Sequence, residues 1–218
     1  MRPDVSEALR YLGVPHPTGE LRREAERMAD GLSAAIQPRY FYRVLEIERL
    51  PDSVRLRGTG IELAGSTALR MLADCGRAVL LACTLGARFD AMLLSIQARD
   101  MAKAVIYDAL GSAFVEAGCD AAQEEISTRF PDLYLTDRFS PGYGDLPLDI
   151  QPALCAALDA QRRLGVTVTP SLLMNPVKSV TAVMGLSDTP QPARIRGCGF
   201  CKMQDTCQFH KEGKSCGA

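Results

Sequence analysis

From Ala78 to Thr84 the chain reads Ala-Val-Leu-Leu-Ala-Cys-Thr, with no charged side chain and no alternation of polar and apolar positions. A strand with one wet face alternates, so this run predicts a strand buried on both faces. Leu85-Gly86 ends it, and a helical pattern fills 87–127. Within that pattern Met101, Val105, Ala109, Ala113 and Ala117 recur at helical spacing. The stripe is rich in small residues, which let a helix approach its neighbours closely, and its simplest reading is core packing. At 218 residues and 47% apolar content the chain can bury such a core.

Around this centre the expected elements are short. Residues 4–36 read as helical with a break at Pro15–Pro17, one apolar face carrying Ala8, Leu9 and Leu12 and the next Leu21, Ala25, Met28, Leu32 and Ala35. Tyr40 to Glu48, then Val54, Leu56 and Ile61, predict two or three strands. Ser66 has the chemistry of an N-cap for a short helix through Leu72. A strand is expected at Leu133 to Thr136, a helix from about Ile150 to Leu164 ended by Gly165, and further strands at Val166 to Val168 and Val177 to Val183. From Thr189 the composition turns to Pro, Arg, Gly, Lys and Cys, with few residues able to fill a core. This sets a main domain at 1–190 and an appendage at 191–218.

A formal net charge of -1 gives no global reason to expect nucleic acid or an anionic membrane as partner. No apolar run reaches the roughly 20 residues that span a bilayer, and Asp4 and Glu7 stand where a signal peptide would be basic, so the expected location is cytoplasmic. No nucleophile–base pair, P-loop or dinucleotide fingerprint appears, which leaves hydrolase, kinase and dehydrogenase readings without residues.

The loop Arg138-Phe-Ser-Pro-Gly-Tyr-Gly-Asp-Leu-Pro147 is stiffened by Pro141 and Pro147 and given unusual backbone freedom by Gly142 and Gly144. Arg138 supplies a planar fork suited to a carboxylate, and Tyr143 a ring with a polar tip, a pairing that fits a small zwitterionic or nucleoside-like ligand. Read from the residues alone, a structural turn with Arg138 in a surface ion pair is the commoner alternative.

The run Arg138-Phe-Ser-Pro-Gly-Tyr143 resembles the Arg-x-x-x-Gly-Tyr signature of the activation domain of cobalamin-dependent methionine synthase. Gly165-Val-Thr-Val-Thr-Pro-Ser-Leu-Leu-Met-Asn-Pro-Val-Lys-Ser-Val180 is similar to that family's next segment, in the same order and at a similar distance. Leu80 to Gly86 and the helix after it are similar to its central region, so the resemblance spans about 60 to 190. It implies an α+β fold with a twisted antiparallel sheet and packed helices. It also implies that Arg138, Ser140, Gly142 and Tyr143 form the binding site for S-adenosylmethionine, with no catalytic side chain. This chain departs from the family at Pro170, where an acidic residue is usual, and at Met184, where a tyrosine is usual. The N-terminal aspartate that contacts the ligand in the family has no clear counterpart.

The implied activity is reductive reactivation, in which reduction of an oxidised cobalamin is coupled to its methylation. The chain has neither the length nor an Asp-x-His-x-x-Gly element for a cobalamin domain, and its histidines are His16 and His210. The corrinoid must therefore be carried by a partner, a methionine synthase or another corrinoid methyltransferase, with a flavodoxin or ferredoxin as candidate reductant.

Cys198, Cys201, Cys207 and Cys216 make a C-x2-C-x5-C-x8-C pattern. A close first pair can place two thiolates on one ion and the later pair can close its shell. Five Lys or Arg between 194 and 216, against Asp205 and Glu212, offset thiolate charge. Four thiolates suit an iron–sulfur cluster or zinc alike, and redox-switching thiols are a third possibility. His210 is expected to face solvent or support the ligands from behind. Cys75, Cys83, Cys119 and Cys155 read as core residues. Two rival readings stay open: an iron–sulfur electron-transfer module without S-adenosylmethionine binding, and a zinc knuckle that docks a methyltransferase.

Overall fold

The computed structural model describes residues 1–14, 16–191, 208–211 and 213. Helices α1 (Val5–Tyr11) and α2 (Gly19–Ala35) lead into the strands β1 (Arg39–Arg49), β2 (Ser53–Leu56) and β3 (Glu62–Ala64). Then come α3 (Ser66–Met71), β4 (Cys75–Thr84), α4 (Ala87–Gln97) and α5 (Met101–Arg129). The last third contains β5 (Tyr134–Leu135), α6 (Gln151–Ala157), α7 (Ala160–Leu164), β6 (Thr167–Val168), β7 (Met174–Asn175) and β8 (Ser179–Ser187). One sheet has the order β3-β2-β1-β4-β8-β5, and β6-β7 form a separate hairpin. The pairings of β2 with β1 and β3, and of β5 with β8, are antiparallel, which makes this an α+β protein. As the apolar run requires, Ala78 to Thr84 is buried at every position.

Contacts divide the chain into two compact units. The first comprises Met1–Arg43, Leu81–Ile126 and Asp149–Thr181, and the second Val44–Leu80, Ser127–Leu148 and the chain from Ala182.

In the first unit the core is organised by α5. Phe89 and Phe114 are fully buried, each worth roughly 1.5–3 kcal/mol of apolar transfer. The Phe89 ring stacks on Tyr107 with centroids 5.1 Å apart and also lies against Gly111, where a Cβ would come within 2.6 Å of its Cε2. Gly118 similarly admits Pro38 and Cys83, which a Cβ would meet at 2.6 and 2.7 Å. Close approach is thus achieved by glycines, on a face shifted from the expected stripe. Ala109 and Ala113 are buried, but Met101 and Val105 are 62% and 50% exposed.

The single helical pattern over 87–127 is two helices, because α4 stops at Gln97 and Asp100 restarts the chain by accepting the Lys103 N–H at 3.0 Å. Likewise the helix expected at 150–164 is broken at Asp159, which is left-handed at φ 51, while Gly165 ends α7 at φ 74 as its sequence position predicts.

In the second unit Val54, Leu56, Leu63, Met71, Leu72, Phe139 and Val183 are buried. Arg49 donates to the carbonyls of Ala73 and Cys75, both at 2.7 Å, which satisfies backbone left open beyond the end of α3. Ser66 is not the N-cap of α3; that place is taken by Gly65 at φ 100, which has no side chain to cap with. All four cysteines outside the C-terminal cluster are buried. None of the described helices is long and apolar enough to cross a membrane.

The same substitution should have opposite effects at two helical glycines. Gly111→Ala drives a methyl into Phe89 and should destabilise by about 1–3 kcal/mol. Gly31→Ala, with nothing within 4 Å in α2, should stabilise by about 0.5–1 kcal/mol, both read from urea denaturation midpoints.

Candidate functional site

The loop after β5 is held at both ends by its buried side chains. Phe139 is 1% exposed and exchanges two backbone hydrogen bonds with Val183, of 3.0 and 2.8 Å, and Leu146 is 2% exposed. Between them the chain makes two linked reverse turns. Tyr143 N–H donates to the Ser140 carbonyl at 3.0 Å, with Pro141 and Gly142 (φ 83) at the central positions, the residue order of a type II turn. Leu146 N–H then donates to the Tyr143 carbonyl at 3.1 Å around Gly144 (φ 61), and Gly142 N–H donates to the Leu146 carbonyl at 2.9 Å. Proline and glycine therefore stand where the backbone geometry requires them.

Asp145, inside the second turn, fixes this loop against α3. Its carboxylate accepts hydrogen bonds from Ser66 N–H at 2.6 Å, Ser66 Oγ at 2.7 Å and Thr67 N–H at 2.9 Å. It caps α3 from another part of the chain, supplying what Gly65 lacks. The approach is close on both sides. A Cβ on Gly65 would lie 2.9 Å from the Asp145 Cγ, and one on Gly144 would collide with the Thr67 hydroxyl. The Thr67 and Ser66 side chains, with the two backbone N–H groups, hold the Asp145 carboxyl well below the usual carboxylate range.

Arg138, Ser140, Gly142 and Tyr143 all belong to this one clamped loop. Arg138 and Ser140 are half-buried, Gly142 is exposed, and Tyr143 is 46% exposed. The three turn N–H groups are already used within the loop, so a ligand there would meet side chains rather than backbone donors. The Ser140 hydroxyl has no hydrogen-bond partner among the described residues. Asp145 escaped the sequence reading. Its signal was an acidic residue in a Pro/Gly turn, but its partner is far away in sequence, at a helix start where Ser66 alone has the chemistry of a cap.

The second resembling segment, 165–180, lies in the first unit. Thr167 pairs with Asn175 and Val168 with Met174, forming a hairpin missed in part because β7 is only two residues long. Pro170 occupies the second position of a turn closed by Leu172 N–H on the Thr169 carbonyl at 2.9 Å, and the Ser171 and Thr169 hydroxyls are 2.9 Å apart. Proline in place of an acidic residue thus serves turn geometry. The segment is tied to the end of β4, where Thr84 Oγ1 accepts from Ser179 Oγ at 2.8 Å and Leu85 N–H donates to the Lys178 carbonyl at 3.0 Å. In the second unit Met184 is fully buried in β8 and fills core.

Cys198, Cys201, Cys207 and Cys216 lie outside the described residues. His210, on the short helix Gln208–Lys211, is exposed. Among the described residues no group of three or more His, Cys, Asp or Glu side chains is arranged to hold a metal ion.

Asp145→Asn replaces one acceptor oxygen with a donor facing donors, and should lower the unfolding midpoint at neutral pH. Because the folded carboxyl titrates below the ordinary value of 3.8, its contribution is complete above that value and is lost as pH falls below it. The wild-type and variant stability curves should therefore converge in acid, as measured by circular dichroism melts across pH.

No protein-family model matches the chain, and no curated protein matches it. Among solved structures, a crystal structure of the MetH reactivation domain bound to AdoHcy is similar over 89% of this chain and 72% of that one, with a TM-score of 0.61 at 18% identity. At that identity the likeness is one of architecture: this chain has the α+β fold of the MetH reactivation domain.

Proposed function

We propose that this chain binds S-adenosylmethionine at the Arg138–Tyr143 turn and supports reductive reactivation, by methylation, of the cobalamin carried by a partner methionine synthase or corrinoid methyltransferase. The observation that carries this reading is the clamped Arg138, Ser140 and Tyr143 loop on the fold of a domain that was solved with AdoHcy bound.

The residues fit the ligand. An amino-acid carboxylate suits the planar fork of Arg138, whose charge persists at every physiological pH. Ser140 has a hydroxyl without a partner among the described residues, and Tyr143 brings a half-exposed aromatic ring, the kind of group that can stack with an adenine. When bound, S-adenosylmethionine supplies a methyl group already activated by its sulfonium. The protein's task is then to bind, orient and hold, a role that requires no side-chain acid or base. Arg138 acts as an anchor, and Asp145 keeps the anchor's loop in shape.

The C-terminal cysteines enter the same proposal as ligands of an iron–sulfur cluster, with zinc as the alternative. A cluster would give the chain a route for an electron, with a flavodoxin or ferredoxin as source. Zinc would make the tail a docking knuckle.

Calorimetric titration of S-adenosylmethionine into anaerobically purified protein should give saturable binding, weakened about tenfold or more by Arg138→Ala, as expected for loss of a charge-assisted hydrogen-bonded pair. Absence of binding to folded, metal-replete protein would overturn the donor role. Iron, sulfide and zinc assays on the same preparation decide the tail: iron with acid-labile sulfide is expected, and neither iron nor zinc would remove the ligand reading.

A further inference from the structure

A concave site apart from the Arg138 turn lies in the first unit. The end of α1, the end of α4 and the first half of α5 enclose a cleft of about 410 Å³, within the roughly 300–1,000 Å³ typical of small-molecule sites. Its walls include Tyr11, Met101 and Val105, large side chains left 43%, 62% and 50% exposed although α5 turns most of its apolar residues into the core.

The polar end of the cleft is organised by an ion pair. Lys178, whose side chain is 13% exposed, donates from Nζ to Asp108 Oδ2 and to Ser112 Oγ, both at 2.9 Å. This contact pairs the two charges and fixes the Asp108 rotamer. The Asp108 side chain is nevertheless 48% exposed, and its Oδ1 has no hydrogen-bond partner among the described residues. Gln97, exposed on the same cleft, has no side-chain partner among them either. Burial, followed by the Glu7 carboxylate, raises the Tyr11 phenol, so the ring stays neutral at any physiological pH. The cleft therefore presents an apolar wall, one pre-oriented carboxylate oxygen and one amide.

The geometry points to a binding site for an amphiphilic organic amine, with its apolar body against Tyr11, Met101 and Val105 and its ammonium on Asp108 Oδ1 and the Gln97 carbonyl. An ammonium on a fixed carboxylate makes the strong, charge-assisted kind of hydrogen bond. An anion entering the cleft meets the carboxylate first, because Asp108 is the exposed member of the pair and the lysine is largely withdrawn from solvent. This site stands or falls independently of the Arg138 turn.

Fluorescence titration of the full chain with dansylcadaverine, a naphthalene carrying a primary amine, tests the inference. The expected result is saturable binding, at least about tenfold tighter than that of dansylamide, which lacks the amine. Val105→Arg, at an exposed helical position that tolerates arginine, should abolish binding, Asp108→Asn should weaken it about tenfold, and Arg138→Ala should leave it unchanged. No saturable binding, equal affinity for dansylamide, or affinity unaltered by Val105→Arg in folded protein would each overturn it. Displacement of the probe by S-adenosylmethionine would also overturn it as a separate site.

Discussion

The Asp145 carboxylate sits where the free N–H groups at the start of α3 converge, and the loop carrying Arg138, Ser140 and Tyr143 takes its shape from that contact. Phe139 and Leu146 bury the two ends of the loop, but the turns between them expose most of their surface and would be loosely determined without a polar tether. The tether demands two glycines. Gly65 must be left-handed and lack a Cβ where Asp145 arrives, and Gly144 must lack one where Thr67 stands. An arginine that orients a ligand is useful only when its backbone is held to a fraction of an ångström, so this capping interaction links helix stability to the proposed site.

Several titratable groups are displaced from their ordinary values by hydrogen bonds or by burial. Tyr40 is pushed up to about 12 by its hydrogen bond to Glu125 and by burial, Tyr107 to about 12 by burial, and Cys155 to about 11 by burial. Glu7, Glu24 and Asp145 are lowered, chiefly by hydrogen bonds from Arg10, Arg27 and Thr67. Each of these groups is moved away from neutrality, so each keeps one protonation state at neutral pH.

Much of the fold was legible because it depends on local pattern. The unbroken apolar run at 78–84 is buried throughout, and the break between α1 and α2, the left-handed Gly165 and the Pro-Gly turn at 141–142 stand as their chemistry requires. What escaped was set by distant partners or by short breaks. The interruption at 98–100 carries no proline or glycine and is marked only by Asp100, an N-cap hidden in a helical composition. The left-handed Asp159 likewise has no glycine to announce it. The packing face of α5 was misjudged because alanines were weighted over Gly111 and Gly118, the positions where the backbone meets Phe89, Pro38 and Cys83. Asp145 was unreadable as a cap because its acceptor role depends on residues 66 and 67, brought to it only by folding.

The claim that the clamped loop is where S-adenosylmethionine binds is tested most directly by amide hydrogen exchange, followed by mass spectrometry with and without the ligand. Binding there should slow exchange in peptides covering 138–146 and in the 65–67 segment that Asp145 ties to them, with the 167–175 hairpin serving as an internal comparison. Exchange in 138–146 that is unchanged at saturating ligand, or protection confined to other segments, would contradict the account.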